Sequence, residues 1–180
     1  MADRTETATV AGGCFWCLDA AYRQIEGVVG VVSGYTGGQR PHPTYEQVCT
    51  GATGHAEAVQ VTYDPEVLSY TDVLDILWAV HDPTTLNRQG ADVGTQYRSA
   101  IYIHDEAQRA EATASREAAQ AYWDDPVVTE ITPLGAFYPA EDYHQDYYAQ
   151  HPDQGYCRAV INPKLAKVRA RFASRLRAGV

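Results

Sequence analysis

Long apolar runs are missing from this sequence: no stretch approaches the ~20 residues that a membrane-spanning helix needs, so no membrane partner is expected. Basic charge is scarce. Fourteen Lys and Arg stand against 23 Asp and Glu, a net charge of −9 at pH 7, which argues against nucleic acid as a partner. The deficit is uneven, because the residues from Asn162 onward hold six Lys and Arg and no acid, leaving 8 basic against 23 acidic groups upstream. That basic stretch reads as a solvated helical face lying on its own acidic domain. Four cysteines, Cys14, Cys17, Cys49 and Cys157, are too few for a structural disulfide framework and point to catalysis, metal binding or core packing, with any disulfide transient. Met1 is the one methionine. The opening residues, Met1 to Thr7, have neither a basic segment followed by an apolar run nor Arg- and Ser-rich amphipathic character, and the expected location is cytoplasmic. No internal repeat or low-complexity segment is present.

What is there suits one globular unit. With 180 residues, 45% of them apolar, the chain can bury a sizeable core without staples. Thr7–Ala11 is β-prone and ends at Gly12 and Gly13; Leu18, Ala21, Tyr22 and Ile25 then recur at helical spacing up to Gly27. Val28–Tyr35 reads as a largely buried strand, followed by a turn-rich loop to Tyr45. Ala56–Tyr63 alternates as a third strand, and Ser69 with Asp72 forms a capping box ahead of a helical face of Val73, Ile76, Leu77 and Val80. Residues 84–96 show no periodicity, and a stretch that long in a compact domain is more often a functional loop than a spacer. Ser99–Ile103 is a fourth strand, Asp105–Trp123 a helix capped by Asp105, and Val127–Thr132 a fifth strand. Beyond Pro133 a short polar helix is expected over Glu141–Gln150, a turn over Pro152–Cys157, and a basic helix opened by Pro163. This order of elements predicts an α+β fold, a two-layer sandwich with a split βαβ (ferredoxin-like) core and a C-terminal wrapping segment. The expected organisation is a single catalytic domain over 1–180, with a core of about 6–133 and a C-terminal segment of about 134–180.

Gly13 to Cys17 (Gly-Cys-Phe-Trp-Cys) is the stretch around which the chemistry gathers. A thiol at Cys14 lies at a helix start, where unpaired N–H groups and the dipole favour the thiolate, the reactive form of cysteine. The C-x-x-C spacing leaves three chemistries open: metal binding, thioredoxin-like dithiol exchange, and a single nucleophile with a resolving partner elsewhere. Structural zinc is disfavoured, because Cys49 and Cys157 lack close cysteine partners and the six histidines show no zinc-finger spacing.

Seven short stretches then occur in order: Gly13–Cys17, Gly34–Gly38 (Gly-Tyr-Thr-Gly-Gly), Pro43–Tyr45 (Pro-Thr-Tyr), Thr53–Ala58 (Thr-Gly-His-Ala-Glu-Ala), His81–Pro83 (His-Asp-Pro), Gly94–Ser99 (Gly-Thr-Gln-Tyr-Arg-Ser) and Gly155–Cys157 (Gly-Tyr-Cys). Together they resemble the A-class peptide methionine sulfoxide reductases over about four-fifths of the chain. The resemblance implies reduction of methionine S-sulfoxide, free or in peptides and proteins, with no metal or organic cofactor. It assigns Cys14 the attack on the sulfoxide sulfur, and Glu57, Tyr45 and Tyr97 the protonation and stabilisation of the sulfoxide oxygen, a poor leaving group until protonated. For Glu57 to serve as an acid near pH 7 it must be buried. Phe15 and Trp16 are expected to supply its apolar walls and the pocket for the substrate methyl group. Asp92 matches an active-site carboxylate that orders its neighbours. Attack leaves Cys14 as sulfenic acid. Cys157 matches the resolving cysteine, on a segment that must reach over the helix start to bring the Cα atoms within ~4.4–6.8 Å. Thioredoxin, or a similar dithiol protein, is the implied reductant.

Two departures from the family pattern follow. No cysteine lies beyond Cys157, so the simpler two-cysteine cycle is implied; and Cys17 stands where many relatives have a non-thiol residue, which makes it an alternative resolving thiol. Other residues read as ordinary: Cys49 as an inert core residue, His55 as a loop hydrogen-bonder, Tyr35 and Tyr63 as strand packing, and Tyr143, Tyr147 and Tyr148 as packing for the C-terminal segment. A general thiol–disulfide oxidoreductase, or a non-catalytic module that binds oxidised methionine, are the alternative functions.

Overall fold

The computed structural model describes residues 4–178, and Met1 lies outside them. The elements are β1 (Glu6–Ala11), α1 (Phe15–Arg23), β2 (Val28–Thr36), α2 (Tyr45–Cys49), β3 (Ala56–Tyr63), α3 (Tyr70–Val80), β4 (Arg88–Gln89), β5 (Asp92–Val93), β6 (Ala100–Ile103), α4 (Glu106–Ala119), β7 (Glu130–Pro133), β8 (Phe137–Pro139), α5 (Tyr147–Gln150) and α6 (Asn162–Arg171). They form a mixed α+β structure. Six strands make one sheet in the order β7-β6-β1-β3-β2-β8, antiparallel at every step except β6 with β7, while β4 and β5 pair as a separate hairpin.

The period of two along β3 decides which side of the sheet each residue serves. Val59, Val61 and Tyr63 join Ala8 and Val10 of β1 and Leu18, Ala21 and Tyr22 of α1 in the main core. Ala56 and Ala58 belong instead to a smaller cluster with Ala11, Ala100 and Tyr102. Glu57 is in phase with Val59, so its carboxyl is built into the face covered by α1. Helix starts obey their side chains: Ser69 and Asp72 form the expected capping box on α3, and the Asp105 carboxylate accepts from Gln108 N–H at the start of α4.

Several boundaries differ from the sequence reading. β2 is not buried throughout. Val29 and Val32 face solvent, because a bulge between Val28 and Gly30 shifts the alternation before the strand settles against β3. Thr44 and Gln47 form a second capping box that starts α2, a helix too short for periodicity to reveal. Residues 84–96 are not structureless: they contain the β4–β5 hairpin and a 3₁₀ turn at Thr95–Tyr97. The fourth helix ends at Ala119 and tightens into a 3₁₀ turn at Gln120–Tyr122, and the following strand begins only at Glu130. The helix expected over Glu141–Gln150 is broken in two at Asp146, whose φ is +53°. Among the described residues no helix is long and apolar enough to cross a membrane.

Candidate active site

The sheet delivers Cys14 through a turn that only glycine fits. A Cβ on Gly12 would sit 2.8 Å from the His81 ring, and one on Gly13, whose φ is +87°, would sit 2.7 Å from the Gln89 side chain. Cys14 therefore occupies the N-cap of α1 with extended backbone, and its carbonyl accepts from Cys17 N–H at 3.1 Å. His81 is held behind the turn by Leu77 O at 2.6 Å and Ser99 Oγ at 2.7 Å, and burial lowers its pKa to about 4.

Glu57 faces this helix start. It is 1% exposed, and its Oε1 accepts from Phe15 N–H at 3.1 Å. Burial raises its pKa to about 8 against the pull of that hydrogen bond, with the negative charges of Asp92 and Cys17 adding to the rise. The carboxyl is thus protonated at neutral pH, as its expected role requires. Phe15 is fully buried beside Tyr35 and Tyr45, and Trp16 lies flat on Tyr147, centroids 3.7 Å apart, with its indole N–H donated to His144 Nδ1 at 3.0 Å.

Cys14 and Cys17 are both buried. The Cys17 thiol is lowered to about 7, chiefly by a hydrogen bond from Cys14 and further by Lys164 and Tyr156. Cys14 moves the other way: burial, donation to Cys17 and the nearby Glu57 carboxyl raise it. The two thiols share a hydrogen bond in a dry helix start and titrate as one coupled pair.

Tyr45 and Tyr97 are each raised by burial and then by Glu57, so both phenols keep their protons. Asp92 Oδ2 accepts from Tyr156 O–H at 2.8 Å, and the Tyr156 ring stands edge-on to Trp16. Cys157 is completely buried at the start of a π-type turn (Cys157–Ile161), its sulfur 3.6 Å from Gln154 Oε1; burial and the charge of Cys17 raise its thiol. Glu57 thus lies within electrostatic reach of Tyr45, Tyr97 and Asp92, and Tyr156 ties the C-terminal segment to Asp92.

Cys49 is corrected: it is exposed rather than in the core, and it lies within electrostatic reach of Tyr45 and Tyr97. His55 is the expected loop hydrogen-bonder, accepting from Gly38 N–H at 3.0 Å and bonded to Arg40 O at 2.7 Å. Sequence reasoning missed Glu141 and His144. Glu141 accepts from Tyr35 O–H at 2.8 Å and Tyr45 N–H at 3.0 Å, and His144 is packed among Phe15, Trp16, Tyr45 and Tyr143. The available signal was the density of acids, His and Tyr over residues 141–148, too polar for the surface helix it resembled. Among the described residues no three His, Cys, Asp or Glu side chains come together as metal ligands.

The family model for peptide methionine sulfoxide reductase matches residues 6–176. A peptide methionine sulfoxide reductase MsrA of Polynucleobacter asymbioticus is 59% identical over 174 residues, covering 94% of this chain and 90% of the relative. The reduced form of Mxr1 from Saccharomyces cerevisiae superposes with a TM-score of 0.82 at 36% identity, over 87% of this chain and 92% of that one. Mxr1 in complex with Trx2 matches with a TM-score of 0.59 at 28% identity, over 82% of this chain and 88% of that one.

Proposed function

The chain belongs to the peptide methionine sulfoxide reductase family, and we propose that it reduces methionine S-sulfoxide with Cys14 as nucleophile and Cys157 as resolving thiol. Cys14 attacks the sulfoxide sulfur as the thiolate. Glu57 supplies a proton to the oxygen, and the Tyr45 and Tyr97 hydroxyls donate hydrogen bonds to it as its charge develops. Methionine leaves, and the oxygen stays on Cys14 as sulfenic acid. The Cys157 thiolate then attacks that sulfur, the oxygen departs as water, and the Cys14–Cys157 disulfide returns to two thiols by exchange with thioredoxin or a similar dithiol protein. The observation that carries this reading is a carboxyl with a pKa of about 8 hydrogen-bonded to the backbone beside the nucleophile. Phe15 and Trp16 line the methyl pocket, and Asp92 orders Tyr156. The Trx2 complex of the yeast relative supports thioredoxin as reductant.

The finer fold reading, a split βαβ (ferredoxin-like) core, is supported by the strand order β6-β1-β3-β2 with α1 and α3 as its two helices. One catalytic unit, with a core of about 6–133 and a segment of about 134–180, is supported by the pairing of β8 with β2 and by Leu165 and Val168 of α6 in the main core. Cytoplasmic placement suits a cycle that must return to free thiols.

Mass mapping of the oxidised protein, after stoichiometric methionine sulfoxide without reductant, tests the assignment. A Cys14–Cys157 bridge with one methionine released is expected. A Cys14–Cys17 bridge would transfer the resolving role to Cys17, and reductase activity surviving Cys14→Ser would defeat the mechanism.

A further inference from the structure

We propose that Glu141 is a positioning residue for the reaction: by tying the start of α2 to β2, its carboxylate fixes the Tyr45 phenol in register with Glu57. The inference rests on the reading that Tyr45 serves the sulfoxide oxygen. Three segments distant in sequence meet at this one side chain. Its Oε1 accepts from Tyr35 O–H of β2 at 2.8 Å, and its Oε2 accepts from Tyr45 N–H of α2 at 3.0 Å, while the residue itself belongs to the chain between β8 and α5.

The Tyr45 amide is at the first helical position of α2, where a helix leaves N–H groups without internal partners. The five-residue helix has other sources of order, but at this end only the Tyr45 ring, packed on Phe15 and His144, also reaches the body of the protein, and no other bond fixes its backbone there. The capping box between Thr44 and Gln47 is wholly local. Val48 in the core and the bond from Gln96 Nε2 to Cys49 O, at 3.3 Å, secure the far end. At the other end of the bridge, Tyr35 lies directly opposite Glu57 in the β2–β3 register and packs on Phe15 with centroids 5.7 Å apart. The acid and the phenol that must converge on one oxygen are thereby set in a common frame. Burial opposes the ionised form of Glu141, but the Tyr45 N–H and Tyr35 O–H outweigh it and hold the carboxyl below its usual range, so both bonds are charge-assisted.

Displacing a reacting group by about 1 Å costs on the order of 100-fold in rate. Glu141→Ala is therefore expected to slow single-turnover methionine formation by about 10- to 100-fold, chiefly in kcat with KM little changed. Glu141→Gln should restore most of the rate, because the amide oxygen accepts from Tyr45 N–H and the amide N–H donates to the Tyr35 oxygen. The deciding experiment is a double-mutant cycle of Glu141→Ala with Tyr45→Phe. If Tyr45→Phe is slow and Glu141→Ala adds little to it, Glu141 acts through the phenol. If the two losses multiply, the positioning role is overturned while the assignment of Tyr45 stands. If Tyr45→Phe alone is silent, the assignment of Tyr45 fails and takes the proposal with it.

Discussion

From β6 through β1 and β3 to β2 the backbone is satisfied by continuous ladders, whereas the chain after Pro133 enters the sheet through the three residues of β8 and is otherwise held largely by side chains. Gln145 brackets Ser33, accepting from its N–H and donating to its carbonyl, both at 2.9 Å. Asp146 N–H donates to Asp19 Oδ2 at 3.0 Å, Tyr156 is tied to Asp92, and Arg175 pairs with Asp72 at 3.0 Å. A ladder fails cooperatively; a set of separate side-chain bonds can be released one at a time. The proposed nucleophile and acid therefore sit on the cooperative part, and the proposed resolving thiol sits on the part that can be undone locally. In that proposed cycle Cys157 leaves complete burial to meet Cys14, and the way its segment is fastened suits such a release.

The largest expected effect on this division comes from Cys157→Ser. Single-turnover release of about one methionine should persist while thioredoxin-linked cycling is lost, as measured by methionine formed per enzyme; undiminished cycling would erase the division of labour. Next, Glu57→Gln should slow methionine formation by ~10²–10⁴-fold, the range for loss of a positioned general acid. In the parent enzyme the single-turnover rate should fall above pH 8 as Glu57 ionises, given its pKa of about 8, and the variant should lack that limb. The sign for stability is the same: a carboxyl raised in the folded state favours folding fully below its unfolded pKa and progressively less as pH rises through about 8. Thermal melting from pH 5 to 9 should slope downward in the parent and flatten in Glu57→Gln.

Smaller effects should appear at the seam. An alanine at Gly34 would place its Cβ 2.6 Å from Tyr138 O and against the Phe137 ring, dislodging β8. Overpacking of this kind costs about 1–3 kcal/mol, so Gly34→Ala should lower Tm by roughly 2–12 °C. Gln145→Ala should move Tm least, by about 1–2 kcal/mol equivalent, yet speed alkylation of Cys157 in the native protein about fivefold or more. An unchanged alkylation rate would mean that the segment opens only with the whole fold.

The ladder region was the legible one. Alternation in Ala56–Tyr63, the glycine stop after Ala11 and the capping residues Ser69 and Asp105 are local signals, and the structure follows them. The wrap was hard to read for the same reason that it is releasable. Besides the burial of Leu165 and Val168, much of its order comes from single side chains reaching distant elements, as Gln145 does to Ser33 more than 100 residues away, and no periodicity records such bonds. The thiol site divides likewise. Glu57 was visible from its motif, and its phase with Val59 explains its burial. The dry environment that raises Cys14, the exposure of Cys49 and the meeting of Glu141 with the Tyr45 backbone and of His144 with the Tyr45 ring depend on packing between distant segments.

The stack of Trp16 on Tyr147 has an optical consequence. The aromatic and hydrogen-bond partners of this indole belong to the wrap: the Tyr147 face, the His144 acceptor and the Tyr156 edge. Trp78, by contrast, is enclosed by the core and bonded to Ser115 at 2.8 Å. In the proposed cycle the segment lifts to carry Cys157 toward Cys14, and Trp16 is then expected to lose these partners while Trp78 keeps its own. In Trp123→Phe, which keeps only Trp16 and Trp78, the emission spectrum should then redden by the contribution of Trp16, and stopped-flow fluorescence can time the journey of the resolving thiol without any added label.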